Sequence, residues 1–180
     1  MKNLLLASVL ALAAGLPACR PAPTTDAGAT GTTAAPRAQL TTLRDSANQA
    51  WQRMVRSDDA KIGAMDELLK TLDQRPGAPR AEVAALRGAT ARLAARRYDQ
   101  RSMGESARID RYDAAQDSVL HRLYQLAAPA DSALVQRIQL EDQSVVQYRA
   151  RYDRAAKAYN AQLPAAGGSE APLPLFEVAP

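Results

Sequence analysis

The sequence has very few of the residues that small proteins use for covalent cross-links or metal binding. It contains one cysteine and one histidine in 180 residues, which excludes internal disulfides, iron–sulfur clusters and structural zinc sites. Di-iron sites in helical bundles use Glu-x-x-His pairs, and the chain has none. We therefore expect no cofactor and no metal, and we interpret His121 as a solvated or capping residue.

Aromatic residues and strong net charge are also scarce. The chain has one Trp, one Phe and six Tyr, and its apolar fraction of 47% consists largely of alanine. This composition predicts a thin core built by helices. The formal charge of +4 is too mild, and too evenly mixed with acidic residues, to indicate a nucleic-acid partner. No activated nucleophile or glycine-rich phosphate loop is recognisable, so we do not expect an enzyme.

The N-terminus resembles the signal peptide of a bacterial lipoprotein. Lys2 precedes an apolar run, Leu4 to Leu16, that is shorter than the ~20 residues needed to span a bilayer. The following Leu16-Pro17-Ala18-Cys19 is similar to a lipobox, although Pro17 departs from the usual small residue. We predict a signal peptide over residues 1–18 and a lipid on Cys19. The alternative is ordinary secretory cleavage beside an incidental cysteine.

The predicted location follows from this anchor. Arg20 stands where an Asp commonly retains lipoproteins in the inner membrane, so we expect the outer membrane, facing the periplasm, in a Gram-negative organism. Residues 19–37 are rich in Pro, Thr, Gly and Ala without an apolar period, which predicts a flexible tether. A helical domain over residues 38–163 and a Pro/Gly-rich tail over 164–180 complete the predicted organisation.

Apolar residues recur at spacings of three and four through the domain and predict four helices. The predicted ranges are Ala38 to Leu72, Arg80 to about Arg101, a segment to Ala127 after a capping box at Ser102-x-x-Glu105, and a last helix to about Leu163. The short connections favour an all-α fold, an antiparallel four-helix bundle with long first and last helices. Tyr148, Tyr152 and Tyr159 lie on the last stripe, where core packing is the simpler interpretation than a ligand surface.

One interruption of the first stripe leaves two interpretations open. Between Met54 and Ile62 the core positions fall on Ser57 or Asp58, in a polar run that also contains Asp59. Either the stripe drifts around the helix and the run is a solvated patch, or two carboxylates point inward. The solvated patch is the simpler interpretation, and it is the one we adopt from the sequence. Asp58 and Glu141 are the acidic residues whose mutation would test for an unexpected hydrolase.

Several short motifs resemble those of the LemA family. They are Ala50-Trp51, Ile62-Gly63-Ala64-Met65 with Glu67 and Lys70, Asp142-Gln143-Ser144-Val145, Tyr152-Asp153, Tyr159-Asn160 and the terminal Pro172-Leu173-Pro174-Leu175-Phe176-Glu177. The motifs are degenerate: the family's first Tyr-Asn is Tyr152-Asp153 here, and a lipoprotein signal replaces its transmembrane segment. The resemblance implies a membrane-attached helical bundle of the envelope and supplies no active site.

The tail and the partner are the remaining expectations. Leu175 and Phe176 are candidate partner contacts: either they fold back over the end of the bundle, or the prolines hold them extended for a partner's groove. We expect a lipid-anchored, non-catalytic interaction or scaffold protein whose partner is an unidentified envelope protein. The alternative is a periplasmic chaperone-like binder, which needs an exposed apolar or Met-rich face.

Overall fold

The computed structural model describes residues 34–167 and 170–176. The predicted signal peptide, Cys19 and most of the tether lie outside this part of the chain, as do residues 177–180. The described residues form an all-helical structure without strands. Its five helices are α1 (Ala34–Asp73), α2 (Arg80–Ala91), α3 (Leu93–Arg96), α4 (Ser106–Leu126) and α5 (Ser132–Gln162).

The long first and last helices, confirmed as predicted, form the main packing pair. Lys61 on α1 bonds Asp142 on α5 at 2.9 Å, and Glu67, further along α1, bonds Arg137, which lies earlier on α5, also at 2.9 Å. Residue numbers therefore rise in opposite directions along the two helices, which makes them antiparallel. The fully buried alanines at the core positions let the helices approach closely: Ala47, Ala64 and Ala156.

The shorter helices pack beside this pair. Arg75, just after α1, donates to the carbonyl of Leu126 at the end of α4, at 3.2 Å. Because Tyr112, earlier on α4, contacts Asp58 in the middle of α1, α4 runs in the same direction as α1. An ion pair joins Glu82 on α2 to Arg122 on α4. The helices enclose one large apolar cluster, whose largest fully buried members are Tyr152, Met54, Met65, Leu68, Leu69, Leu93, Met103, Leu123 and Ile138.

The predicted second helix is wrong in its C-terminal part. It breaks at Arg92 and ends at Arg96, and residues 97–105 are not helical. The predicted capping box is also wrong, because Ser102 bonds Asp99 in a local turn (Oγ to Oδ1, 2.8 Å) and α4 begins only at Ser106. Leaving the helix turns Tyr98 into the core, where it is buried. Tertiary packing thus overrides the local helical signal.

The chain ends of the other helices lie close to the prediction. α1 begins at Ala34, inside the predicted tether, and ends before a turn in which Gly77 adopts a φ of +76°, a conformation that favours glycine. A 3-10 turn, Pro164–Ala166, follows α5. None of the helices that the structure describes is long and apolar enough to cross a membrane.

Candidate functional site

A cluster of polar side chains lies inside the helical core. Three helical residues, Asp58, Lys61 and Gln116, are 2%, 1% and 4% exposed. Tyr112 and Arg97 complete the group, which we call the buried polar cluster. α1 supplies Asp58 and Lys61 one turn apart, α4 supplies Tyr112 and Gln116 at the i, i+4 spacing that places both on one face, and the segment after α3 supplies Arg97.

Asp58 is the centre of this cluster. Its Oδ1 accepts from the Gln116 amide at 2.7 Å, and its Oδ2 accepts from Arg97 at 3.0 Å and from the Tyr112 hydroxyl. Burial alone would raise the pKa of Asp58, but the donors from Tyr112 and Gln116 and the charge of Lys61 outweigh it. The net result is a pKa below the ordinary value, so the carboxylate is ionised in the folded protein.

Lys61 connects Asp58 to the surface of α5. Its Nζ donates to Gln116 Oε1 at 2.7 Å and to Asp142 Oδ1 at 2.9 Å, and it lies 3.4 Å from Asp58 Oδ1. The Asp142 side chain is half exposed. A buried ammonium group is costly unless it is paired, and here two carboxylates and an amide oxygen surround it.

The arrangement is suited to holding helices together and poorly suited to proton transfer. Burial and the adjacent carboxylate of Asp58 raise the pKa of Tyr112, so its phenol stays protonated, and the Asp58 carboxylate is fully engaged with donors. A general base needs a free lone pair that reaches a substrate. Neither group of this pair has that freedom.

The sequence interpretation of the polar run was therefore wrong for one of its two carboxylates. Asp58 points inward, whereas Asp59 is exposed and reaches Arg97 from outside at 2.7 Å. Lys61 and Arg97 also belong to this cluster, and neither was predicted from the sequence to do so. A signal was present: polar residues replaced apolar ones at core positions on three separate segments, namely Asp58, Arg97 and Gln116. Opposite charges at such positions can satisfy one another inside a core.

A second group of residues binds the C-terminal tail. Trp51, Tyr98 and Tyr152 surround the Phe176 ring, with centroid distances of 6.3, 5.9 and 5.7 Å. The Trp51 ring is stacked on it, and the two Tyr rings meet it edge to face, which is a favourable geometry for aromatic pairs. With Asp153 and Asn160, these residues form what we call the tail groove. Phe176 is 8% exposed.

The tail groove recognises mainly backbone atoms. The Asn160 side chain accepts from the Leu173 N–H at 2.7 Å and donates to the Leu173 carbonyl at 2.8 Å. Asp153 accepts from the Phe176 N–H at 2.9 Å, and the Tyr152 hydroxyl donates to the Pro174 carbonyl at 3.0 Å. Seven helical residues rise about 10.5 Å, and three extended residues span about 10 Å. The distance between Asp153 and Asn160 along α5 therefore matches the distance between Phe176 and Leu173 along the tail.

Arg149 closes the groove on one side. Its guanidinium lies 5.5 Å from the Phe176 ring centroid and 5.6 Å from that of Tyr98. Two hydrogen bonds of 2.8 Å join it to Asp113 on α4. Burial raises the pKa of Tyr98 to about 12, and the Tyr98 ring also contacts that of Tyr112, 5.8 Å away. The tail groove and the buried polar cluster are therefore contiguous.

The two predicted partner contacts lie against the helical core. Leu175 and Phe176 pack against the core, as in the fold-back alternative, but they cover the middle of the α1–α5 pair and not its end. A contact between Phe176 and a partner would first require release of the tail.

Tyr152 and Tyr159 are buried, and Tyr148 is partly buried. Exposed His121 lies 2.9 Å from Gln125 (Nε2 to Nε2). Cys19 lies outside the described residues.

The described part of the chain contains no group of three or more His, Cys, Asp or Glu side chains arranged to hold a metal ion. Comparisons of the chain with family models, curated proteins and solved structures found no match.

Proposed function

We propose that this chain is a lipid-anchored, LemA-like protein of the bacterial cell envelope that acts as a non-catalytic interaction or scaffold module. The observation that carries the non-catalytic part is the internal pairing of the buried polar cluster. Asp58, the carboxylate of the cluster, accepts hydrogen bonds from donors on two other segments. Its role is then to fix helices relative to one another.

The proposed architecture is a LemA-like antiparallel four-helix bundle. In this interpretation α2 and α3 together form the second helix of the bundle, and the break at Arg92 is a local irregularity within it. The directions of the helices support the proposal, because α1 and α4 run together and α5 runs against them. The Tyr152-Asp153 and Tyr159-Asn160 pairs, which carry the resemblance, contribute Tyr152, Asp153 and Asn160 to tail binding.

The tail supports the interaction role. It is held by four hydrogen bonds to its backbone, by the Phe176 ring, and by Glu170, which pairs with Arg44 and accepts from the Tyr159 hydroxyl. It follows a short segment of small residues after α5. Such an element can dock in cis and still be exchanged for contact with an envelope protein. The chaperone-like alternative is less favoured, because Met54, Met65 and Met103 are buried and do not form an exposed Met-rich face.

Labelling of cells with a fatty-acid analogue tests the anchor. We expect the wild-type protein to take up the label and Cys19→Ala to lose both the label and membrane association. Pro17→Ser is the matched control, because it brings the signal closer to a lipobox and should keep the label. A Cys19→Ala protein that remains in membranes, or a wild-type protein without label, would contradict lipid anchoring.

Crosslinking in cells tests the interaction role. The intact protein should form specific crosslinks to envelope proteins, and deletion of Leu173 to Pro180 should remove those that depend on the tail. The purified protein should also leave envelope polymers intact. Hydrolysis that disappears on mutation of Asp58 or Glu141 would show that the protein is an enzyme and that the proposal is wrong.

A further inference from the structure

An open pocket of about 490 Å³ lies where the end of α3 meets the first turns of α4. Its lining consists of three arginines, Arg96, Arg108 and Arg111, and the ring of Tyr112. The volume falls within the range of about 300 to 1,000 Å³ that is typical of small-molecule sites. Three of the four lining residues come from one face of α4, because Arg108, Arg111 and Tyr112 are three and four residues apart.

The charges of this pocket are only partly neutralised. Arg108 pairs with Glu105 at 2.8 Å. In the described part of the chain, no carboxylate lies within salt-bridge distance of Arg96 or Arg111. Arg97, the residue next to Arg96, turns the other way and pairs with Asp58 and Asp59, so those two acids are already engaged. Among the described residues, two of the three arginines that line the pocket, Arg96 and Arg111, thus have no carboxylate partner.

Tyr112 is the buried residue of the lining, whereas the three arginines are exposed. Its side chain is almost completely buried, and its hydroxyl donates to Asp58. The hydroxyl is therefore not available to a ligand, and recognition is left to the guanidinium groups. These groups present planar, paired N–H donors that match the oxygen atoms of phosphate. Like charges that share a pocket repel one another, and a bound anion would remove that repulsion.

We propose that the pocket formed by Arg96, Arg108, Arg111 and Tyr112 binds a phosphate-bearing anion. The same chemistry is present in a free phosphate or soluble phosphate ester and in the headgroup of an anionic lipid. The site depends neither on the lipid anchor nor on the docking of the tail. It adds a ligand to a protein for which the scaffold role above requires none.

Calorimetric titration with inorganic phosphate and with glycerol phosphate tests the proposal. The protein is the chain from Arg20 to Pro180, which retains every described residue, and sodium chloride keeps the ionic strength constant. We expect saturable binding that Arg96→Gln with Arg111→Gln weakens about tenfold or more. The control variant, Arg80→Gln with Arg154→Gln, likewise removes two exposed charges, and both residues lie outside the pocket. Circular dichroism verifies that each variant is folded.

Sedimentation with vesicles separates the two sources of phosphate. Vesicles of phosphatidylglycerol in phosphatidylcholine are compared with phosphatidylcholine alone, using the same variants. Binding of soluble phosphate that the Arg96/Arg111 variant loses supports a free phosphate ligand. Binding to the anionic vesicles alone, lost in the Arg96/Arg111 variant and kept in the control variant, supports a lipid headgroup. Equal weakening by the control variant, or no saturable binding to either probe, overturns the proposal.

Discussion

Replacement of Asp58 by Asn provides a direct test of the buried polar cluster. The change removes one negative charge at nearly constant volume and puts an NH₂ group in place of one carboxylate oxygen. Both oxygens of Asp58 face donors, from Gln116 on one side and from Arg97 and Tyr112 on the other. An asparagine can accept from only one of these sides, and its NH₂ group meets donors on the other.

The expected destabilisation is about 3 kcal/mol. Removal of one partner of a buried ion pair costs about 3 to 5 kcal/mol, because the remaining charge is left buried without compensation. The lower end of this range applies to Asp58→Asn, because both cations still have a carboxylate partner in the variant. Lys61 lies 2.9 Å from Asp142, and Arg97 lies 2.7 Å from Asp59. The structure therefore places partial substitutes beside both cations.

Asp59→Asn is the matched control. It makes the same chemical change at the next position of α1 and affects the same arginine, but its side chain is 54% exposed. Exposed ion pairs contribute about 0 to 1 kcal/mol, so this variant should remain close to the wild type. Urea denaturation of both variants, followed by circular dichroism, gives the two free energies of unfolding by linear extrapolation.

The difference between wild type and Asp58→Asn should depend on pH in a defined direction. Because folding lowers the pKa of Asp58 below 3.8, the ionised group stabilises the folded protein above that pH. The contribution is lost as the pH falls through the lowered value. We therefore expect a constant difference near neutrality that shrinks below about pH 3.8. Equal destabilisation by Asp58→Asn and Asp59→Asn, or a difference that grows in acid, would refute the proposed burial and pairing.

Two further predictions concern the aromatic core and the tail. Tyr152→Ala should destabilise the protein by about 3 to 5 kcal/mol, because the fully buried ring leaves a cavity. Tyr152→Phe should cost less, about 1 to 2 kcal/mol, because it loses only the hydrogen bonds of the hydroxyl with Pro174 and Gln100. An unchanged melting temperature in Tyr152→Ala would mean that this face of α5 is not buried. Deletion of Leu173 to Pro180 should lower the melting temperature by roughly 10 °C and shift Trp51 fluorescence to longer wavelength, because Phe176 no longer covers Trp51. Leu140→Ala, at an exposed site of the same helix, is the control for Tyr152→Ala. A folded deletion variant with unchanged Trp51 emission would argue against docking of the tail.

The sequence determined the secondary structure wherever a long amphipathic stripe was present. The stripes of α1, α4 and α5 gave the right elements, and Tyr152 and Tyr159 were correctly assigned to the core. These assignments succeed because a helix with one apolar face has few other ways to remove that face from water. At Arg97 and Ser102 the helical pattern predicted the wrong structure, because it competes there with packing against distant segments.

Only the tertiary structure decided what the polar residues at core positions do. From the sequence, the apolar stripe places Asp58 and not Asp59 at a core position, but nothing local shows whether a carboxylate there is buried or solvated. The distinction depends on Arg97, Tyr112 and Gln116, which are about 40 to 60 positions away in the chain. The tertiary structure also decided how the tail is bound. Asp153 and Asn160 can bond Phe176 and Leu173 only because the segment after α5 folds back. Periodicity indicates which face of a helix is apolar, but a buried charge is stable only beside its partners, and the fold alone brings those partners together.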